Sequence, residues 1–88
     1  MAYYVVERDT AKTDRRGVFL ELEVVDGPFD SDAEAQAEAR RLTESRIAAQ
    51  RRTNELGITR GAPTVSYGCY SEAKLEEARD MGISVTGV

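Results

Sequence analysis

The feature of this sequence that most constrains its fold is the segment Ser31–Leu56, which contains neither glycine nor proline. Alanine, arginine, glutamate and glutamine dominate the segment, and all four favour the helical backbone. At its start, Ser31 and Glu34 fit the capping box, in which the serine hydroxyl and the glutamate carboxylate pair with backbone N–H groups that the first turn leaves free. Gly57 follows directly, and glycine is best suited to the left-handed conformation that ends many helices. The segment therefore predicts one long helix.

A helix of this length would extend past a sheet of ordinary strands. It would measure roughly 38 Å at about 1.5 Å per residue, whereas a strand of five or six residues covers about 17–20 Å. We therefore expect the helix to overhang its sheet, unless it kinks between Thr43 and Ser45. In the overhanging form its C-terminal half must pack on something that the first half does not contact.

The predicted helix has two faces of different character. At about 100° per residue, one stripe of mostly small residues suits close packing on a sheet. The opposite face carries Ile47 among charged residues. Isolated apolar side chains are common on protein surfaces, so Ile47 could be exposed without any partner. The alternative is that this face contacts a partner or a second copy of the chain. The small-residue stripe consists of Ala35, Ala39, Leu42, Ala49, Thr53 and Leu56.

Four further stretches predict β-strands, because they are rich in β-branched and aromatic residues or alternate between apolar and polar side chains. Between the last two, Ser71 is an N-cap for a short helix, Glu72–Met81. The order ββαβαβ predicts an α+β fold with a small, mostly antiparallel, four-stranded sheet and its helices mostly on one face. We expect residues 1–88 to form a single domain, because no change in composition marks a linker. The strands are Tyr3–Arg8, Val18–Val25, Thr64–Tyr70 and Ile83–Val88.

Alternation and glycine positions add finer expectations. Phe19 should point away from the core face of the second strand, and Gly27-Pro28 should end that strand. Gly68 should weaken the third strand and mark a bulge there. In the short helix, Met81 should complete an apolar stripe begun by Leu75 and Ala78. The core-facing residues of the second strand should be Val18, Leu20, Leu22 and Val24.

The apolar core that this chain can build is small. Leucine, isoleucine, valine and phenylalanine make up about one fifth of the residues, near the level at which charged chains stop folding. Small domains commonly gain stability from disulfides, metals or self-association. One cysteine and no histidine exclude an intrachain disulfide and disfavour a metal site, so a dimer or an obligate partner remains. The single cysteine also favours the reducing cytoplasm, and no apolar run is long enough for a signal peptide or a membrane span.

The residue types in this sequence give little support to an enzymatic function. Without histidine, the commonest general base is missing. Cys69 lies in a strand on the expected core face, where cysteine usually behaves as a small hydrophobe rather than a nucleophile. Glu21 and Glu23 could pair as the carboxylates of a glycosidase do, but alternating acids on a strand more often solvate and protect an edge. We therefore expect no catalytic residue, no metal ligand, no cofactor and no enzyme activity.

Charge is distributed unevenly along the chain. Residues 21–38 contain seven acidic and no basic side chains, whereas residues 39–60 contain six arginines and two glutamates. The long helix is therefore acidic at its start and basic toward its end, which either complements the helix dipole or steers a charged partner. The arginines also suggest weak binding of nucleic acid. They point all round the helix, however, and the net charge is −4, which disfavours that alternative.

The first half of the chain resembles small phage-encoded inhibitors, including anti-CRISPR proteins. The resemblance lies in the strand Ala2–Val6, a charged loop, a second strand and the helix entry Phe29-Asp30-Ser31 with Glu34-Ala35. It implies a non-enzymatic inhibitor of a host protein or nucleoprotein complex. The helix entry also resembles peptidoglycan-binding SPOR modules, but in those modules a helix follows the first strand directly, where this chain has a hairpin.

Together these observations predict a small, non-enzymatic, intracellular protein-binding module that acts through its long helix and its hairpin loop, with a homodimer as one form of the contact. A phage-encoded inhibitor and a weak nucleic-acid-binding accessory protein are the alternatives, and no membrane partner is expected. The expected contact residues are Arg40, Ile47, Arg51 and Leu56 on the helix and Lys12, Arg15 and Arg16 in the loop.

Overall fold

The computed structural model describes residues 1–87; Val88, the last residue of the predicted fourth strand, lies outside the described residues. The predicted order ββαβαβ and the α+β class are confirmed. The elements are β1 (Tyr3–Asp9), β2 (Glu21–Phe29), α1 (Asp32–Glu55), β3 (Val65–Ser71), α2 (Glu72–Asp80) and β4 (Ser84–Thr86). Neither helix is both long and apolar enough to cross a lipid bilayer, among the residues that the structure describes.

The four strands form one sheet in the order β3-β1-β2-β4. β1 pairs antiparallel with β2 and with β3, while β2 pairs parallel with β4, so the sheet is mixed rather than mostly antiparallel. It follows that β2, β3 and β4 all run in one direction. Each helix is therefore a crossover connection between parallel strands, which a short turn cannot provide.

The two helices lie on opposite faces of the sheet, and the expectation that both lie mostly on one face was wrong. Adjacent residues of a strand point to opposite faces. Val6 packs with Leu75 of α2, whereas Val5 is paired with Cys69, whose thiol contacts Asp32 of α1. The topology explains this arrangement. α1 connects β2 to β3 across the sheet in one direction and α2 connects β3 to β4 in the other, and two crossovers of the same hand then place their helices on opposite faces.

The core is consequently divided into two thin layers. The α1 side contains a few small buried residues, and the α2 side contains a cluster of larger ones. A domain of this size buries a smaller fraction of its surface than a larger domain does, so each layer is easily weakened. The buried residues are Val5, Ala35 and Ala39 on the α1 side and Val6, Leu22, Leu75 and Ala78 on the α2 side.

α1 is one continuous helix without a break near Thr43. At its start, Ser31 Oγ accepts a hydrogen bond of 3.2 Å from the backbone N–H of Glu34, which is the serine half of the predicted capping box; within residues 1–87 the Glu34 carboxylate makes no return bond to the N–H of Ser31. At its end, Gly57 has φ +74°, and the backbone N–H of Ile58 donates to the carbonyl of Thr53 at 3.0 Å. This is the Schellman arrangement, which satisfies carbonyl groups that the last turn leaves free.

Two glycines have roles different from those expected. Gly27-Pro28 does not end β2, because the strand continues to Phe29. The pairing of this part of β2 with β1 is irregular and contains shifts of register. Gly68 marks no bulge, because β1 and β3 are paired without interruption. Its lack of a side chain makes room instead, since a Cβ at this position would lie 2.9 Å from Nη1 of Arg8.

Candidate protein-binding surfaces

The C-terminal half of α1 extends beyond the strands that the first half covers. α1 has 24 residues and β3 has seven, which correspond to roughly 36 Å and 23 Å. The only buried residues of α1 that the structure describes, Ala35 and Ala39, lie in its N-terminal third. Farther along, Thr43 Oγ1 accepts a hydrogen bond of 3.2 Å from the backbone N–H of Tyr67 in the edge strand β3.

The chain that follows α1 folds back onto the second half of the helix. Thr59 Oγ1 lies 2.8 Å from Nε2 of Gln50, 2.6 Å from Oγ1 of Thr53 and 2.7 Å from Oδ1 of Asn54. Asn54 Nδ2 donates to the carbonyl of Gly61 at 2.7 Å. As expected for a helix that outruns its sheet, the two halves of α1 therefore pack on different parts of the chain, and the second contact is polar.

The end of α1 leaves two large aliphatic side chains uncovered. Leu56 is 73% exposed and Ile58 is 70% exposed, although Leu56 continues the stripe that was predicted to face the sheet. The sheet does not reach that far, which is why the stripe is open there. Arg52 lies one helical turn before Leu56, and Arg60 lies two residues after Ile58; both are exposed and form no ion pair within residues 1–87. We refer to Arg52, Leu56, Ile58 and Arg60 as the α1 tip.

The four helix residues predicted to bind a partner are all exposed. Ile47 is 41% exposed and lies nine positions before Leu56, which at about 100° per residue places the two side chains on opposite sides of the helix. Arg51 is one turn from Ile47 and belongs to its side. The structure thus brings Arg40, Ile47 and Arg51 to the outer side of α1 and leaves Leu56 at the tip.

The loop residues predicted to bind a partner lie between β1 and β2. Lys12 Nζ is 3.5 Å from a carboxylate oxygen of Glu21, and Arg16 is 3.7 Å from a carboxylate oxygen of Asp14. Arg15 is exposed and has no ion pair within residues 1–87. Two backbone N–H groups donate to Asp14 Oδ1, and they hold the pKa of Asp14 below its ordinary value. The loop is therefore organised around its own carboxylates.

A groove on the α2 side is a surface that the sequence did not reveal. It has a volume of 250 Å³, and Lys74 and Glu77 flank its apolar lining. The strand pattern predicted that Phe19 points away from the core and that Leu20 points inward. β2 begins only at Glu21, however, so the alternation does not extend to residues 18–20, and Leu20 is exposed while Phe19 lines the groove. We refer to this surface as the α2 groove; its apolar lining is Val18, Phe19, Leu22, Tyr70, Ala78, Met81 and Ile83.

One wall of the α2 groove is held by Arg8. Its guanidinium carbon lies 5.3 Å from the ring centre of Phe19 and 6.0 Å from that of Tyr70. Arg8 also donates hydrogen bonds, from Nη1 to the hydroxyl of Tyr70 at 3.3 Å and from Nε to the hydroxyl of Ser66 at 3.4 Å. These contacts restrain both aromatic rings, because a cation over an aromatic face contributes about 0.5–1 kcal/mol at an exposed site.

Met81 is exposed at the mouth of the groove. The sequence placed it on the inward stripe of α2, but the helix ends at Asp80 and Met81 is its C-cap, 61% exposed. Leu75 and Ala78, the other two members of the predicted stripe, are buried as expected. The stripe is one residue shorter than the pattern indicates because Gly82, with φ +86°, turns the chain toward β4.

Cys69 sits against the first turn of α1, where its thiol lies 3.0 Å from Oδ1 of Asp32. Burial, and after it the hydrogen bond and negative charge of Asp32, raise the pKa of Cys69 to about 11. The group is therefore a protonated thiol at neutral pH, which is a poor nucleophile. Glu21 and Glu23 are exposed at a polar cleft of 220 Å³ on the half of the sheet that α1 leaves open. Within residues 1–87 no three histidine, cysteine, aspartate or glutamate side chains are grouped so as to hold a metal ion.

Comparison of the chain with protein-family models, with curated proteins and with solved structures found no match.

Proposed function

We propose that this chain is a non-enzymatic protein-binding domain that docks through the α1 tip. One observation carries the proposal: α1 continues past the sheet, and Leu56 and Ile58 at its C-terminal end are each more than two thirds exposed. Burying an aliphatic side chain of this size contributes about 1.5–3 kcal/mol. The monomer does not gain this free energy, whereas a complex that covers the tip would.

The composition of the α1 tip favours a protein partner over nucleic acid. Arginine, methionine and aromatic residues are enriched at protein interfaces, whose buried centres are apolar and depleted of charged residues and whose rims are polar. At the tip, two aliphatic residues lie between Arg52 and Arg60, which matches that pattern. Binding to a phosphate backbone would use the arginines and leave Leu56 and Ile58 in water. A single cysteine, which cannot form an intrachain disulfide, is typical of proteins in reducing compartments, and this supports a cytoplasmic location.

Site-specific photo-crosslinking in the native host tests this proposal. A photoreactive amino acid in place of Leu56 should give adducts between this chain and another protein molecule. The matched control carries the same amino acid in place of Leu20, which is 51% exposed and outside the tip. Adducts from position 20 with none from position 56 would show that the docking surface lies elsewhere.

A salt titration with random duplex DNA tests the alternative. We expect no binding at physiological salt. Binding whose logarithm falls steeply with the logarithm of the salt concentration would show that the arginines contact phosphates and would contradict the choice of a protein partner.

A further inference from the structure

The α1 tip and the α2 groove are complementary to each other, and we propose that the groove of a second copy of this chain is the partner of the tip. The inference rests on the proposed function, because it takes the tip to be a docking surface. It goes further by naming the occupant: Leu56 and Ile58 of one copy enter the groove of the next.

The sizes of the two surfaces agree. The groove has a volume of 250 Å³, and a cavity of about 150 Å³ holds one benzene molecule, so the groove has room for two aliphatic side chains. Arg8 restrains the two aromatic side chains of its wall, which lowers the conformational entropy that is lost when the groove is filled. Met81 is exposed beside it and, having a flexible thioether side chain, adapts to the shape of what enters.

The tip is basic on balance, whereas α2 is acidic on balance. The tip carries Arg52 and Arg60, with Glu55 as the acidic neighbour. α2, which forms one side of the groove, carries four acidic and two basic side chains, and none of them forms an ion pair within residues 1–87. At the groove itself the flanking charges are Lys74 and Glu77, and Arg8 lies in one wall, so Glu77 is the carboxylate that can pair with an arginine of the tip and orient it.

The positions of the two helices determine the geometry in which two copies of this chain can bind each other. α1 and α2 lie on opposite faces of the sheet, so the tip and the groove of one copy belong to different faces and the contact is made between copies. It is a head-to-tail contact between two different surfaces, which extends into rings or open chains rather than closing as a symmetric dimer. The surfaces are small, which places the contact in the weak, transient class.

Sedimentation velocity with three variants tests the proposal. The tip variant is Leu56→Gln with Ile58→Gln. The groove variant is Met81→Arg, whose added charge repels the basic tip but suits the C-terminal end of α2. Ile47→Gln is the control, because it replaces an exposed aliphatic residue on the other side of α1. Circular dichroism confirms that each variant is folded.

We expect the mean mass of the wild type and of the control to rise between about 10 μM and about 1 mM, a range suited to a weak contact. The tip and groove variants should each associate at least about tenfold more weakly. A mixture of the two variants should form one-to-one pairs, because each retains the surface that the other has lost. A wild type that stays monomeric at about 1 mM, a loss of association in the Ile47 control, or a mixture that fails to pair would each overturn the proposal.

Failure of this inference is distinguishable from failure of the proposed function. If the wild type is monomeric while position 56 crosslinks to a different protein, the self-association is wrong and the tip remains a docking surface. If the wild type is monomeric and position 56 gives no adduct, both are wrong.

Discussion

Replacing Leu75 by alanine should remove much of the stability of this domain. Leu75 is 2% exposed and belongs to a cluster with Val6, Leu22 and Ala78. The substitution deletes about three methylene-sized groups at about 0.8 kcal/mol each, and the cavity left behind brings the cost to about 3 kcal/mol. A chain of 88 residues has a free energy of unfolding of about 4–13 kcal/mol, and the thin two-layer core places this one in the lower half.

The matched control is Leu56→Ala, the same chemical change at a residue that is 73% exposed. We expect it to change the free energy of unfolding by less than about 0.5 kcal/mol. Urea unfolding followed by circular dichroism at about 5 μM, where the monomer dominates, measures both values, and an unchanged slope shows that the unfolded states are comparable. In thermal unfolding the Leu75 variant should melt about 12–24 °C lower. If Leu56→Ala costs as much as Leu75→Ala, Leu56 is covered in the monomer, and the α1 tip is not an open surface.

Three further substitutions test local features. Gly27→Ala should cost about 1–3 kcal/mol in urea unfolding, because φ is +119° there and a Cβ would lie within 3.0 Å of neighbouring atoms; an unchanged midpoint would contradict this geometry. Thr43→Val removes the acceptor for the backbone N–H of Tyr67, so we expect a loss of about 1 kcal/mol and faster hydrogen exchange at that amide, and protection equal to the wild type would exclude the bond. Because the pKa of Cys69 is raised from 9.0 to about 11, alkylation at pH 8 should be about 100-fold slower than in the unfolded chain, and Asp32→Asn should accelerate it. The folded thiol keeps its proton above pH 9 while the unfolded thiol loses it, so stability should fall as pH rises from 9 to 11, and a flat profile would refute the shift.

The elements of this fold were predictable where the signals are local. The beginning of α1 at Ser31 depends on a hydroxyl three residues from the N–H that it caps, and its end at Gly57 depends on the conformation of one residue. The same holds for Ser71, whose hydroxyl accepts from the N–H of Lys74 at 3.2 Å. Such interactions lie within one turn of the chain, so a sequence pattern contains all the information they need.

Expectations that depended on contacts between elements were less successful. Gly68 was taken for a bulge because glycine weakens strands, but its role is to admit the guanidinium of Arg8 from the neighbouring strand. Phe19 was assigned to the outer face by alternation, but it packs against the same Arg8 and lines the α2 groove. Arg8 lies 60 residues from Gly68, and Phe19 precedes the first residue of β2, so strand alternation records neither contact.

The candidate surfaces also combine features that local sequence patterns predict with features that depend on contacts between distant segments. The exposed residues of α1 could be predicted from periodicity, but which of them share a surface depends on where the sheet stops. Ile47 lies on the outer side of the helix, as periodicity indicates. Leu56 continues the inner stripe but is exposed at the tip, because β3 does not reach the end of α1. The groove depends on Val18, Tyr70 and Met81, which come from three separate segments and meet only in the folded molecule.

The sequence by itself determined the number, type and order of the elements, the caps of both helices and the excess length of α1. The tertiary structure decided the strand order β3-β1-β2-β4, the placement of the helices on opposite faces and the existence of the groove. The physical reason is the range of the interactions involved. Propensity, capping and periodicity act within a few residues, whereas strand pairing and the direction of a crossover depend on which distant segments bury their apolar faces together.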